Sequence, residues 1–397
     1  MAERNTDFNT VINRKDTDCL KFDFAVKRGR PEGILPLWVA DMDFRTSSFV
    51  LDALQERLEH GIFGYTESDE EYFSAVAGWL EKRHGWKVQE KWLKKTPGVV
   101  FALAMAVKAY TEAGDAVLIQ QPVYYPFSEV ITDNDRRIVS SDLVRGEDGR
   151  YGIDFADFEQ KIVENDVHLF LFCSPHNPVG RVWTKEELLQ IGEICLKHEV
   201  VVVSDEIHAD FILEGHKHYV FADLDERFRE ISVTCTSAGK TFNLAGLQAS
   251  NIFIPNAVLR RKFRKQVNAA GYSQLNTMGL LATEAAYRNG EEWYKGMLSY
   301  VQENVRFMRE YLEEHLPMLR MTEPEGTYLV WVDFRALGLT EEQLEDLVVN
   351  KANLWLDAGA IFGSVGEGFE RFNVACPRET LKQALDQLAE AVKSMEK

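Results

Sequence analysis

Val167-His-Leu-Phe-Leu-Phe-Cys173, Thr184-Lys-Glu-Glu187 and Val200-Val-Val-Val-Ser204 follow one another along the chain. The outer two are short, nearly continuous apolar runs, the pattern of strands covered on both faces. The middle one is a capping box, in which a threonine hydroxyl and a glutamate three residues on satisfy the free N–H groups that open a helix. Leu188, Leu189, Ile191, Ile194 and Cys195 then recur at helical spacing. Strand, helix, strand in this order predicts an open, mostly parallel α/β sheet. Residues 116–120, 231–236 and 251–254 read as further strands of it.

The last hundred residues differ. Residues 293–316 form a long charged amphipathic pattern, 326–334 read as a strand, and Thr340-Glu-Glu-Gln343 is a second capping box. Leu381, Ala384, Leu385, Leu388, Ala391 and Val392 make an i, i+3, i+4, i+7 stripe. These features predict a smaller α+β unit. The expected division is an N-terminal arm and segment packing on that unit (1–48), a large domain (49–285) and a small C-terminal domain (286–397).

Composition bounds the partners. The chain has 397 residues, 24 Phe, 13 Tyr and 8 Trp, enough apolar surface for a sizeable core. Its 63 acidic residues against 45 Lys plus Arg give a net charge of −18, which disfavours nucleic acid and anionic membranes. Cys19, Cys173, Cys195, Cys235 and Cys376 are odd in number and contain no CxxC pair, so buried reduced thiols are expected. Residues 1–10 carry no apolar core of a signal peptide, and residues 99–107, the longest apolar run, are far short of a membrane span. A cytoplasmic location is the expectation.

In open α/β sheets chemistry gathers beyond the carboxyl ends of the strands. There the sequence places Asp205, in Ser204-Asp205-Glu206-Ile207-His208, and Lys240, in Ser237-Ala-Gly-Lys240. It also places Asn177, in Ser174-Pro-His-Asn177-Pro178-Val-Gly180, and Tyr124, in Pro122-Val-Tyr124-Tyr125-Pro126. Pro97-Gly98-Val99-Val100 opens an apolar helix, whose free N–H groups suit a phosphate. A lysine, a buried acid, an amide, an aromatic ring and a phosphate cradle are together what pyridoxal 5′-phosphate requires.

On these motifs the whole chain resembles a fold-type I pyridoxal-phosphate enzyme of the class I/II aminotransferase superfamily. Trp38-Val-Ala-Asp-Met-Asp-Phe44 and Asp205-Glu-Ile-His208 resemble its cystathionine β-lyase, or cysteine C–S lyase, branch. The resemblance implies a three-layer α/β sandwich with a mostly parallel central sheet plus the smaller α+β domain. It implies Lys240 as the imine lysine, Asp205 on the ring nitrogen, Asn177 on the ring hydroxyl oxygen, Tyr124 stacked on the ring and His208 beside it. Gly98, Val99, Val100 and Ser237 would hold the phosphate, with Tyr65 reaching it from a second subunit of a homodimer. Arg371, in Arg371-Phe-Asn-Val-Ala-Cys-Pro377, would grip the α-carboxylate of an amino-acid substrate, with Trp38 and Ala40 beside it. Many aminotransferases have a tyrosine where His208 stands and an arginine where Gln248 stands; both departures fit the lyase branch. The implied reaction is cleavage of the Cβ–S bond of cystathionine or a related thioether to a thiol, pyruvate and ammonia. The alternatives are transamination and, more remotely, a non-catalytic regulator.

Blander readings stand beside these. Asp205 could be an ordinary helix cap, Arg371 a surface ion-pairing residue and Tyr65 a core residue. Ser-x-x-Lys recurs in Ser394-Met-Glu-Lys397, expected to be an exposed tail. The penicillin-binding reading of that motif lacks its Ser-Asp-Asn and Lys-Thr-Gly partners. Glu214, His216 and His218 have only part of a metal-ligand set, so a solvated loop and no metal are expected there.

Overall fold

The computed structural model describes residues 7–395, so parts of the 1–10 and 394–397 segments lie outside the described residues. Seven strands form the large sheet: β1 (Leu93–Thr96), β2 (Ala116–Ile119), β3 (Arg137–Ser140), β4 (Leu169–Cys173), β5 (Val201–Asp205), β6 (Ser232–Thr236) and β7 (Ser250–Phe253). Their order is β1-β7-β6-β5-β4-β2-β3. The run from β3 to β6 is parallel, and β7 lies antiparallel to both β6 and β1.

Alternation along the strands builds the layers. Leu118, Phe170, Phe172 and Val202 face a core with Phe158 of helix Phe155–Asn165 and Leu188 and Ile191 of helix Lys185–Lys197. Val117, Ile119, Leu169, Leu171 and Val203 face the opposite core, filled by helix Val99–Tyr110 and by Phe263 and Val267 of helix Ala257–Ala269. A two-residue side-chain period in strands buried on both faces produces this three-layer arrangement. The capping box at Thr184 forms as the sequence predicts, with Glu187.

Helix Glu291–His315 leads into a second, antiparallel sheet: β8 (Arg320–Met321), β9 (Leu329–Asp333), β10 (Asp357–Ala358) and β11 (Phe369–Asn373), in the order β8-β9-β11-β10. The expected strand at 326–334 is shorter, because Thr327 has a positive φ and Gly326 bridges to Ile212 instead. Helix Arg378–Met395 buries the predicted stripe. The N-terminal segment joins this part: Leu35 and Pro36 pair in parallel with Leu354 and Trp355. Residues 285 and 286 lie inside helix Thr277–Asn289, and Gly290 separates that helix from Glu291–His315. Four cysteines are buried and free, whereas Cys19 is only half-buried, in a charged stretch too polar to enclose it.

Candidate active site

The parallel strands end side by side, with Asp205 flanked in register by Cys173 and Cys235. Asp205 is buried, and its Oδ1 accepts one backbone bond, from the Ile207 N–H at 3.1 Å. That single turn-like bond leaves its charge poorly met, so burial pushes its pKa up to about 7, against the pull of Lys240. The local contact is cap-like, as the blander reading supposed, yet no regular helix follows it: the next residues form a turn.

Lys240 sits in the short helix Ala238–Thr241 directly after β6. Its Nζ donates to the Ala40 carbonyl at 2.5 Å. Burial lowers its pKa to about 8; Asp41 and Asp205 oppose that shift and Arg371 reinforces it. His208 is buried with Nδ1 unpartnered, and burial, Lys240 and Arg371 all hold it neutral.

Arg371, in the middle of β11, is 2 % exposed, which removes the reading of a surface ion pair. Nη1 donates to Asn177 Oδ1 at 2.9 Å and Nη2 to the Trp38 carbonyl at 2.9 Å. Nη2 also meets the carboxylate of Asp357. Asn177 is held by the Tyr124 N–H on its carbonyl at 3.1 Å. The Tyr124 ring lies 5.1 Å from that of Tyr125, and its phenol pKa is raised by burial. Trp38 stacks on Trp355 at 4.2 Å.

The end expected to receive a phosphate is a cavity lined by Gly98, Val99, Ile207, Ser237, Lys240 and Gln248, among others. Gly98 is the N-cap of helix Val99–Tyr110 and supplies no side chain to its free N–H groups, while Val100 remains partly exposed. A Cβ built on Gly98 would meet no atom within 4 Å. The space there is open, as an anion at a helix N-terminus requires. Ser237 fits less simply: its Oγ donates to the Ala249 carbonyl at 2.7 Å and accepts from the Gly239 N–H. A phosphate would have to share that hydroxyl.

Two expectations change. Tyr65 is fully exposed on the 61–69 loop, so it is no core residue. His218 does not belong to a solvated loop: it is buried with Nε2 2.9 Å from Glu206 Oε2, because the Glu206 carboxylate beside Asp205 needs a partner. Glu214 and His216 are exposed, and no metal-ligand cluster occurs among the described residues.

Sequence reasoning missed the straps on the 38–44 segment. Asn373 Nδ2 donates to the carbonyls of Val39 and Asp41, Asn243 clasps Met42 and Phe44, and the Tyr328 hydroxyl donates to Ala40 at 2.8 Å. Asn373 lies two residues past Arg371, a spacing that puts both on one face of β11 and could have signalled it.

Residues 32–388 match the family Aminotransferase class I and II. The chain belongs to the class I and II aminotransferase family. It is 45% identical over 388 residues to the protein named cystathionine beta-lyase PatB of Bacillus subtilis (strain 168), covering 97% of this chain and 99% of that one. Its fold superposes on cystalysin from Treponema denticola, which contains pyridoxal 5′-phosphate, with a TM-score of 0.95 and 38% identity over 99% and 100% of the two chains. A pyridoxal-phosphate-bound C–S lyase from Staphylococcus hominis gives 0.92 and 33% over 98% of each. The family thus includes members with this whole architecture, and the buried acid, the lysine of lowered proton affinity and the open helix N-terminus lie where that architecture converges.

Proposed function

We propose that this protein is a pyridoxal 5′-phosphate-dependent carbon–sulfur β-lyase acting on cystathionine or a related cysteine thioether. The observation that carries the proposal is that Lys240 lines one cavity with Ser237 and the side-chain-free helix N-terminus at Gly98, with the buried Asp205 near enough to oppose the lowering of its pKa. Similarity to a cystathionine β-lyase and to C–S lyases supplies the reaction class. When bound, pyridoxal phosphate supplies an aldehyde that condenses with amines and a pyridine ring that takes up the electron pair left at Cα.

The chain's own residues would divide the work as follows. Asp205, ill-matched as a lone buried carboxylate, holds the ring nitrogen protonated. Asn177 and Tyr124 fix the ring's plane, with His208 neutral beside it. Gly98, Val99, Val100 and Ser237 hold the phosphate. Arg371 orients the substrate carboxylate beside Trp38 and Ala40. Lys240, at about 8, has an accessible neutral form and serves as general base for the Cα proton. The Cβ–S bond then breaks, the sulfur taking up a proton to leave as a thiol, and water hydrolyses the remaining three-carbon enamine to pyruvate and ammonia.

We read the protein as a cytoplasmic homodimer in which Tyr65 completes the partner's phosphate site. The exposed Ile62, Phe63 and Tyr65 and the free, buried cysteines favour that reading. No helix of the described residues is long and apolar enough to cross a membrane. The 1–48, 49–285 and 286–397 division is retained as a proposal, with Gly290 a natural hinge position for its second boundary.

Borohydride reduction of the yellow holoenzyme should place a stable label on Lys240. A label on another lysine, or a colourless protein after reconstitution, would overturn the cofactor assignment. Release of thiol from cystathionine then tests the lyase step.

A further inference from the structure

Arg371 already holds a carboxylate. Asp357 is its register partner across β10 and β11, is 7% exposed, and meets Nη2 of the guanidinium. Among the described residues no other side chain donates to Asp357. The remaining bonds of Arg371 go to Asn177 through Nη1 and to the Trp38 carbonyl through Nη2, while Nε is buried without a partner. A guanidinium receives a carboxylate bidentately along one edge, and the edge carrying the free Nε–H also carries Nη2. A substrate carboxylate taking that edge must therefore share Nη2 with Asp357.

We infer that Asp357 is a resident competitor, a carboxylate that holds Arg371 in place between turnovers and weakens its grip on the substrate's α-carboxylate. This rests on reading Arg371 as the carboxylate-binding residue. Two physical consequences follow from the pairing. With Asp357 present the buried pair is neutral, and an arriving carboxylate meets a like charge across the guanidinium. With Asp357 made neutral, Arg371 is a buried cation short of a partner, which raises its attraction for any anion that can reach it. A merely supporting role predicts the opposite, because a loosened arginine binds less well.

The test is the Asp357→Asn holoenzyme, titrated by calorimetry with L-alanine, which has no β-leaving group, and with ethylamine, which has no carboxylate. L-Alanine should bind at least about tenfold more tightly than to the wild type, with ethylamine unchanged. Unchanged or weaker alanine binding overturns the inference, and so does an equal gain for both ligands, which would report only a roomier pocket. Asp357→Glu, which restores the charge, should return alanine affinity towards the wild-type value. If the asparagine variant does not fold, Asp357→Ser carries the same expectation. Arg371→Ala in the same titration separates the two ideas: if it fails to bring alanine down towards ethylamine, the role given to Arg371 fails rather than that of Asp357.

Discussion

Burial moves Asp205 and Lys240 in opposite directions, and both shifts can be measured in the cofactor-free protein. Asp205 has a folded pKa of about 7 against the usual 3.8. Above about pH 7 it is charged folded and unfolded, and the desolvation cost is fully present; below about pH 4 it is neutral in both states and the cost is gone. Asp205→Asn should therefore stabilise the cofactor-free protein at pH 8, by at most about 4 kcal/mol, with the gain vanishing towards pH 4. Denaturant melts across that range check this; a loss of stability at pH 8 would mean that Asp205 has an internal partner. Lys240, lowered to about 8, should react with amine reagents at pH 8 ahead of the surface lysines, and peptide mapping reads this directly. Lys240→Ala should reduce turnover about 10²- to 10⁴-fold, the span of a lost acid–base group. Residues of this kind were legible in sequence because each stands at or just past the end of a strand buried on both faces. Asn243 and Tyr328 were not, since their contacts join segments far apart in sequence and end on backbone carbonyls, which no side-chain pattern encodes; Asp357 was not, since its pairing with Arg371 depends on strand register.

Helix Val99–Tyr110 opens without a side-chain cap. Its N-cap Gly98 has φ 176°, extended backbone open to any residue, so the absent side chain is not a conformational need. The open space that a Cβ would enter is part of a cavity, and on the proposed reading it would hold the phosphate. Gly98→Val should leave the melting of the cofactor-free protein within about 1 kcal/mol of wild type, yet lose cofactor on dialysis, measured by the absorbance retained. Retention equal to wild type would place the phosphate elsewhere. At this scale the central strands β2, β4, β5, β6 and β7 were readable, because burial on both faces favours short runs rich in apolar and β-branched residues, with serines, threonines and an asparagine as their main polar members in β6 and β7. The edge strands β1, Leu-Lys-Lys-Thr, and β3, Arg-Ile-Val-Ser, were not, since half-exposed edges admit charge. β11 escaped for another reason: Glu370 and Arg371, though buried, interrupt its apolar run with charge.

The molecule as a whole joins two sheets through the strapped 38–44 segment, so the candidate site draws on β4, β5 and β6 from one side and on β10 and β11 from the other. Tyr65 is exposed on its loop, and on the proposed reading it would add a further wall to the site of a second copy. Sedimentation should give a dimer, and Tyr65→Phe should weaken cofactor retention without dissociating it; a fully active monomer would contradict the shared site. Relatives of this chain are named both as lyases and as aminotransferases, and on the proposed reading Lys240, Asp205 and Asn177 would serve the early steps of either reaction. The two outcomes part only at the next step, where either a β-substituent leaves or a proton returns to the cofactor. The decisive measurement is the product profile from cystathionine with and without an added keto acid. The account predicts pyruvate, ammonia and a free thiol in equal amounts at a rate independent of the keto acid. Turnover that requires the keto acid and releases no thiol would contradict it.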